Sequence, residues 1–489
     1  MPKRRSPAKR EVKETVTNAK LKTIFCILIV IQAFASAMLA ISLARLNILQ
    51  PWQFMLVLAV LLLFLGFNIF KLLVSKRSGR AVKIICVIIS ILIVIGCAAC
   101  YKYACQTIEF VESITGDHRE TQAYQVRALK SSDYKKIGDI EGQDVGFLSV
   151  NPNIEKTTSA LKESVDFKKK TFEDVGTMIV AIEDEKIAAI VLSQSYVDML
   201  EDAKNEFIKN SIVLHEFEIE IETPDTRQAV DVASEPFILY ISGSDSRIGI
   251  SEAARSDVNM LAVIDPKSFK MLLVSIPRDY YVQLHGTTGL KDKLTHAGVY
   301  GIDMSKNTIQ DLLDIKINYT LKVSFSTLTK LVDAIDGVEV NSDTAFYRGG
   351  CAIKQGRQQL NSACALVYSR ERYSYSSGDR HRGQNQQQVI AAIVKKITDP
   401  HYLVRYSDIL NAIKGSFETS LSYDEITSLA RYQLSELRSW QIENISLDGT
   451  TGSAPTYSMG ADRPLSVMHP DPNSVKAAQD KINSYLNNK

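Results

Sequence analysis

Three uncharged apolar runs near the start of the chain limit its architecture more than any other feature. Residues 23–44 lie between Lys22 and Arg45, residues 52–70 stop at Lys71, and residues 84–101 lie between Lys83 and Lys102. A helix needs about 20 apolar residues to cross a hydrocarbon layer of about 30 Å, and in lipid only helices or closed barrels satisfy their own backbone polar groups. Three spanning helices are therefore expected, at about 22–44, 52–70 and 84–101, preceded by a basic tail over 1–20. The first run is too long for the apolar core of a cleaved leader, and two more follow it.

Basic residues set the expected orientation. Eight Lys and Arg lie in the tail, five lie between the second and third runs (Lys71, Lys76, Arg77, Arg80, Lys83), and the first loop has only Arg45. Positive charge stays on the cytoplasmic side, which places the tail inside and everything after residue 102 outside. The formal net charge of +2 hides this division: residues 1–105 hold 15 basic and 2 acidic side chains, leaving 42 basic and 53 acidic for the rest. The tail is short and has no recognition motif, and the membrane accounts for its charge, so nucleic acid is not expected as a partner.

The exterior part is long enough for two domains. Residues 106–225 read as mixed α/β, with strand-like runs at 144–150, 176–181 and 188–192 and helical stretches at 157–165 and 196–207. A polar segment at 222–227 separates them from a second α/β domain over 226–489. There, strands are expected at 237–241, 258–264 and 269–276, and helices at 327–336, 386–398 and 423–437; no order is assigned to the Pro/Gly-rich stretch near the end. Cys351 and Cys364 stand 13 residues apart around a hairpin-like segment, which is compatible with a disulfide or with two small buried residues. The seven His are scattered, so no zinc spacing is present.

The candidate chemistry lies in the second domain. The turn signal Asp265-Pro-Lys-Ser268 centres a hairpin whose facing residues sum to 535, which sets Asp257 beside Arg278 at the open end. Asp245 and Arg247 follow the end of another strand. Further on, Asp379 precedes Arg382 and Gln386, which stand at the N-terminal end of a helix that buries Ile390 and Ile393, and helix N-termini favour anions. Arg247, Arg255, Arg278, Arg370, Arg372, Arg380 and Arg382 therefore gather in loops and helix starts of an otherwise acidic region. Arginine offers planar, bidentate recognition of phosphate, and two carboxylates suit Mg²⁺ beside phosphate oxygens. A diphosphate group-transfer site needs this combination. The alternative is surface arginine paired with abundant acids.

The motifs Ser244-Asp-Ser-Arg247, Arg255-Ser-Asp-Val-Asn-Met260, Ser275-Ile-Pro-Arg-Asp279, Lys293-Leu-Thr-His-Ala-Gly298, Tyr368-Ser-Arg-Glu-Arg-Tyr373 and Gly378-Asp-Arg-His-Arg-Gly-Gln-Asn-Gln-Gln387 occur in this order over 236–398. Together they resemble the LytR–CpsA–Psr family of Gram-positive bacteria. The three-helix anchor and interposed domain resemble its capsule-associated branch, CpsA or Wzg. The resemblance implies an α/β fold with a central mixed sheet flanked by helices and an apolar pocket for a polyprenyl tail. It implies a multi-pass membrane ligase that moves a capsular or related polysaccharide from undecaprenyl diphosphate to peptidoglycan, with Mg²⁺ (or Mn²⁺). Carried over by motif, Asp245 and Asp257 match metal-binding aspartates. Arg255, Arg278, Arg370, Arg372 and Arg382 match diphosphate-binding arginines, with Lys293, Asp379 and Gln386 as further pocket residues. Asp257, Asp245 and Asp379 remain alternatives for the base. The resemblance leaves room for contact with capsule-synthesis machinery.

Two other readings use the same residues. A non-enzymatic protein could bind the lipid diphosphate and regulate polymer synthesis or chain length. A transcriptional role conflicts with a domain placed across the membrane from the chromosome.

Overall fold

The computed structural model describes residues 7–75, 79–115, 119–222, 225–244, 250, 253–375, 378–399 and 406–487. The chain divides into two compact units. One holds the residues up to Glu112 together with Tyr423–Glu436; the other holds Ser113–Ser422 and Leu437–Lys489.

The first unit contains three helices long and apolar enough to cross a membrane, Lys20–Leu46, Pro51–Val74 and Arg80–Thr115. The first is part of α1 (Pro7–Leu46), the second joins α2 (Pro51–Ile69) to a short π-helical turn, and the third is α3 (Arg80–Thr115). Phe25, Ile29, Gln32, Ser36, Leu39, Ser42 and Leu46 form the buried seam of α1. Their spacing alternates between three and four residues, the repeat that keeps one side of a helix against its neighbours. Small Ser residues in such a seam let helices approach closely. Phe34, Val30 and Ile41 face outward.

The three helices are tied by side chains as well as by apolar contact. Asn68 Nδ2 donates to Gln32 Oε1 at 3.0 Å and to Ser90 Oγ at 2.9 Å, and Ser90 Oγ donates to Gln32 Oε1 at 2.8 Å. All three residues are buried. At the end of the unit that carries the α1–α2 connection, the helix Tyr423–Glu436 returns. Tyr423 packs on Leu46, Ala104 and Ile108, and Arg431 Nε donates to Asn47 O at 2.9 Å.

The second unit has two main sheets. The first contains β1 (Arg119–Leu129), β2 (Asp144–Leu148), β3 (Lys168–Phe172), β4 (Ala189–Ser193) and β5 (Ser211–Glu222), in the order β3-β2-β4-β1-β5. β2 runs parallel to β3 and β4, and β1 runs antiparallel to β4 and β5. Helices α4 (Ile154–Lys162), α5 (Val175–Glu183) and α6 (Gln194–Asp202) cover it. The strand expected at 176–181 is therefore helix α5. Its buried residues Val175, Met178, Ile179 and Ile182 recur at helical spacing, and Asp174 caps it by accepting from Thr177 N. This layer does not close its own core: Val299 and Met459 join the apolar cluster of α5 and α6.

The second sheet is mixed and six-stranded. β6 (Phe237–Ser244), β7 (Val258–Asp265) and β8 (Lys270–Ile276) form its centre. Tyr319–Ser324 lies parallel beside β6, with Phe417–Thr419 outside it, and Gln441–Ser446 lies parallel beside β8. Alternate residues Ile238, Tyr240, Leu261, Val263, Leu272 and Val274 pack one face against Ile309, Leu313 and Ile482, which come from helices Ile302–Leu313 and Pro472–Leu486. The stretch near the end to which no order was assigned forms an antiparallel ribbon, Gly449–Thr456 with Gly460–Pro470. Cys351 and Cys364 form a disulfide, joining the strand Cys351–Ile353 to the helix Ser362–Arg370.

The polar tie among the spans is open to a direct check. Asn68→Leu removes two of its three hydrogen bonds, and each such bond between membrane helices contributes about 0.6–2 kcal/mol. The variant is expected to unfold at lower denaturing-detergent concentration than wild type, while Phe34→Leu on the outward face leaves the midpoint unchanged. Equal midpoints for Asn68→Leu and wild type would show that the tie contributes nothing.

Candidate active site

The site is built at one end of the second sheet, where β6 and β8 finish and β7 begins. The β7–β8 register pairs Asn259 with Ile276 and Asp265 with Lys270, which is the alignment expected from the turn. Pro277 ends β8, and one step beyond the ladder Arg278 NH1 donates to Asp257 Oδ1 at 2.7 Å. Asp257 N in turn bonds Gly243 O at 2.8 Å, which fixes the start of β7 on the end of β6.

Arg278 also faces Asp279 and Asp379, with Nε at 3.8 and 3.7 Å from their carboxylates. Its side chain is 20% exposed and that of Asp257 15%. Burial works against the charged guanidinium, but the three carboxylates outweigh it and raise its pKa. Burial likewise opposes ionisation of Asp279, yet Lys293, at 2.5 Å, and Arg278 hold its carboxyl well below the usual range. Lys293 reaches this place because Leu294 N and Thr295 N bond Tyr280 O and Arg278 O, laying its segment along the chain after β8.

The other wall is the helix Asp379–Ile397, which begins at Gly378 with φ 51°. Asp379 lies in its first turn, where a negative charge suits the helix dipole. Arg382, one turn on, sits 3.4 Å from Asp379 Oδ1, and Arg372 sits 3.6 Å from the same atom. Gly383 lets this helix lie directly on β8, since a Cβ there would stand 2.4 Å from Ser275 Oγ. Burial and the neighbouring Arg278 both lower the pKa of Arg382. Several of these contacts are longer than hydrogen bonds: Arg278 Nε and Asp379 Oδ1 are buried without a hydrogen-bond partner among the described residues. The charges are compensated while donors and acceptors are left over.

The structure thus brings together Asp257, Arg278, Lys293, Arg372, Asp379 and Arg382. Gln386 stands beside them but spends its amide on Ser369 O at 3.2 Å, fixing the end of the helix that precedes Arg370. Arg370 lies with its guanidinium 4.6 Å over the Phe325 ring. Arg255 pairs with Asp202, and Arg380 pairs with Asp448 at 2.6 Å. Asp245 and Arg247 lie outside the described residues. Among the described residues no group of three His, Cys, Asp or Glu is placed to hold a metal ion. Asp257 is the one expected metal ligand that can be located, and a single carboxylate suits Mg²⁺ held largely by phosphate oxygens and water.

Two acids in the site carry no expectation from sequence. Asp279 is the junction of Lys293 and Arg278. Glu371, fully buried between two arginines, accepts from Tyr373 N at 2.6 Å, Ser374 N at 2.9 Å and Arg348 NH1 at 3.1 Å, and so shapes the turn that carries Arg372. Burial raises its pKa less than these bonds lower it. The buried Asp292, His296 and Ser458 are not a hydrolytic triad, because Asp292 and Ser458 both address His296 Nδ1.

A mixed sheet ending in arginines, a lysine and carboxylates that neutralise one another defines an α/β protein with a preformed anion site. The LytR–CpsA–Psr family model matches residues 200–478, and the chain belongs to that family. Among curated proteins it is 35% identical over 198 residues to the polyisoprenyl-teichoic acid–peptidoglycan teichoic acid transferase TagU of Enterococcus faecalis, and 36% identical over 199 residues to TagU of Bacillus cereus. These matches cover 40% of this chain and 65% and 64% of the relatives, just under two thirds of their length. The crystal structure of TagV from B. subtilis aligns over 52% of this chain and 99% of its own, at 24% identity and a TM-score of 0.45.

The compensation around Asp279 has a pH signature. Because its folded pKa is depressed, its stabilising contribution is complete above its unfolded pKa of about 3.9 and is lost as pH falls through the folded value. Asp279→Asn should therefore melt below wild type at pH 6, and the gap should narrow progressively below pH ~4. A gap of constant size from pH 6 to pH 3 would contradict this account.

Proposed function

We propose that this protein is a membrane-anchored glycopolymer ligase that moves a polysaccharide from a polyprenyl diphosphate carrier to a hydroxyl of peptidoglycan. The observation that carries the reading is the group of Arg278, Arg372, Arg382 and Lys293 around buried carboxylates, with donors such as Arg278 Nε left unbonded. A diphosphate supplies acceptors for those donors and charge for those cations. Membership of the family and the transferase relatives support the same class of reaction.

In this reaction the acceptor hydroxyl attacks the phosphorus that bears the polymer. A new P–O bond forms, the P–O–P anhydride breaks, and prenyl phosphate leaves. Arg278, Arg372 and Arg382 offset charge that builds on the bridging and non-bridging oxygens. The hydroxyl proton passes to a carboxylate, for which Asp257 and Asp379 are placed in the site, with Asp245 the third candidate. Asp257 and Asp245 would hold Mg²⁺, which would further neutralise the diphosphate. Three spans joined to an additional α/β layer favour a capsular or related polymer as the cargo.

The orientation belongs to the same proposal. Basic residues concentrate in the tail and between the second and third spans, which favours a cytoplasmic N-terminus. A cytoplasmic N-terminus followed by three crossings leaves the chain after the third span outside, as a peptidoglycan acceptor requires.

Arg278→Ala and Asp257→Ala test the reading with a polyprenyl-diphosphate-linked oligosaccharide as donor and peptidoglycan as acceptor. Each folded variant should lose about 10²–10³-fold in transfer rate. Normal transfer by either would reject it, and donor binding by wild type with no product under any condition would favour a regulatory binding protein instead.

A further inference from the structure

The layer formed by β1–β5 reaches the segment that leads into the site, at Arg255, two residues before Asp257. Arg255 NH1 donates to Asp202 Oδ2 at 2.5 Å, and Asp202 is the last residue of α6. The backbone on either side of Arg255 is already fixed. Ser195 Oγ, also from α6, donates to Ala253 O at 2.5 Å, and Ser256 N bonds Thr295 O at 3.0 Å. Gly298 closes the other side, where a Cβ would come within 2.4 Å of Ala254 O.

We propose that Asp202 is a positioning residue for Arg255, so that the first α/β layer completes the donor site rather than standing apart from it. This rests on the proposed ligase reading, with Arg255 taken as a diphosphate contact as its motif implies. Two features support it. An acid at a helix C-terminus opposes the helix dipole, so Asp202 is poorly placed for the stability of α6 and well placed only for its partner. Its side chain is 64% exposed while that of Arg255 is 23% exposed, so the pair adds little to folding but immobilises a long side chain. A guanidinium has five N–H donors in a fixed fork. Holding NH1 on Asp202 orients the remaining donors before a phosphate arrives.

Pre-ordering one long side chain changes affinity by about 2- to 10-fold, which sets the size of the expected effect. With full-length protein in detergent and a polyprenyl-diphosphate-linked oligosaccharide as donor, Asp202→Asn should raise the donor KM by that factor and leave kcat close to wild type. Asp202→Glu should restore KM, and Asp202→Asn added to Arg255→Ala should have no further effect. An unchanged or lowered KM for Asp202→Asn, while Arg255→Ala is impaired, would overturn the positioning role alone. An equal effect of Asp202→Asn with and without Arg255 would overturn it too, since the residue would then act elsewhere. If Arg255→Ala and Arg278→Ala both keep wild-type KM and kcat, the diphosphate assignment itself fails and the positioning role with it.

Discussion

Arg278 is held among Asp257, Asp279 and Asp379, and the rest of the site depends on that compensation. A guanidinium removed from water without a partner costs several kcal/mol, so the end of the β7–β8 hairpin could not bury this side chain unless acids converged on it. They converge from three directions: the start of β7, the chain just past β8, and the first turn of the helix Asp379–Ile397. Two of these acids in turn recruit further cations. Asp279 draws Lys293, and Asp379 draws Arg372 and Arg382. The cluster is thus assembled by pairs that extend outward from one residue.

The geometry of those pairs differs in a way that bears on ligand entry. The Arg278–Asp257 bond is short and directional, whereas the contacts from Arg278 Nε and to Asp379 Oδ1 lie between 3.4 and 3.8 Å. Charge attraction persists at such distances, but the hydrogen bonds are not formed. An anion can therefore take the open donors without first breaking a strong internal bond. The short Arg278–Asp257 pair keeps the hairpin end in place while this happens.

Much of this could be read from the sequence because two of its rules are arithmetic. A tight antiparallel hairpin fixes a constant sum for facing residues, which set Asp257 opposite Arg278. A helical period placed Arg382, Gln386 and Ile390 on one face of one helix. The remainder depends on partners that no local pattern links. Asp279 sits in a motif beside Arg278, yet its role appears only when Lys293 is folded back onto it. Glu371 looks like a charge between two arginines and is in fact fully buried. Asp202 and Arg255 are 53 residues apart, one ending helix α6 and the other in the loop before β7. Helix α5 stands where a strand is expected because a short continuous apolar run such as 178–182 looks the same as strand or helix; Asp174, its capping residue, is the available signal. Cys351 and Cys364 were compatible with two states, and only their placement on adjoining elements joins them.

The mixture of signs in the site is itself selective. A cluster of arginines alone would repel within itself, and the lowered pKa of Arg382 beside Arg278 shows that this repulsion is felt even with acids present. Carboxylates keep the guanidiniums ionised and in place, but they also set a threshold for binding. A neutral sugar offers nothing to cations whose charge is already balanced, and burying it against them would leave polar groups poorly paired. A ligand of high charge density can share the guanidiniums with the acids, because Arg presents more donors than its carboxylate partners use. The same four cations and three acids that leave the site nearly neutral therefore favour a dense anion over a neutral glycan, which is what the proposed diphosphate carrier requires. Recognition would then fall on the group common to every such carrier, leaving the glycan to be selected elsewhere on the protein.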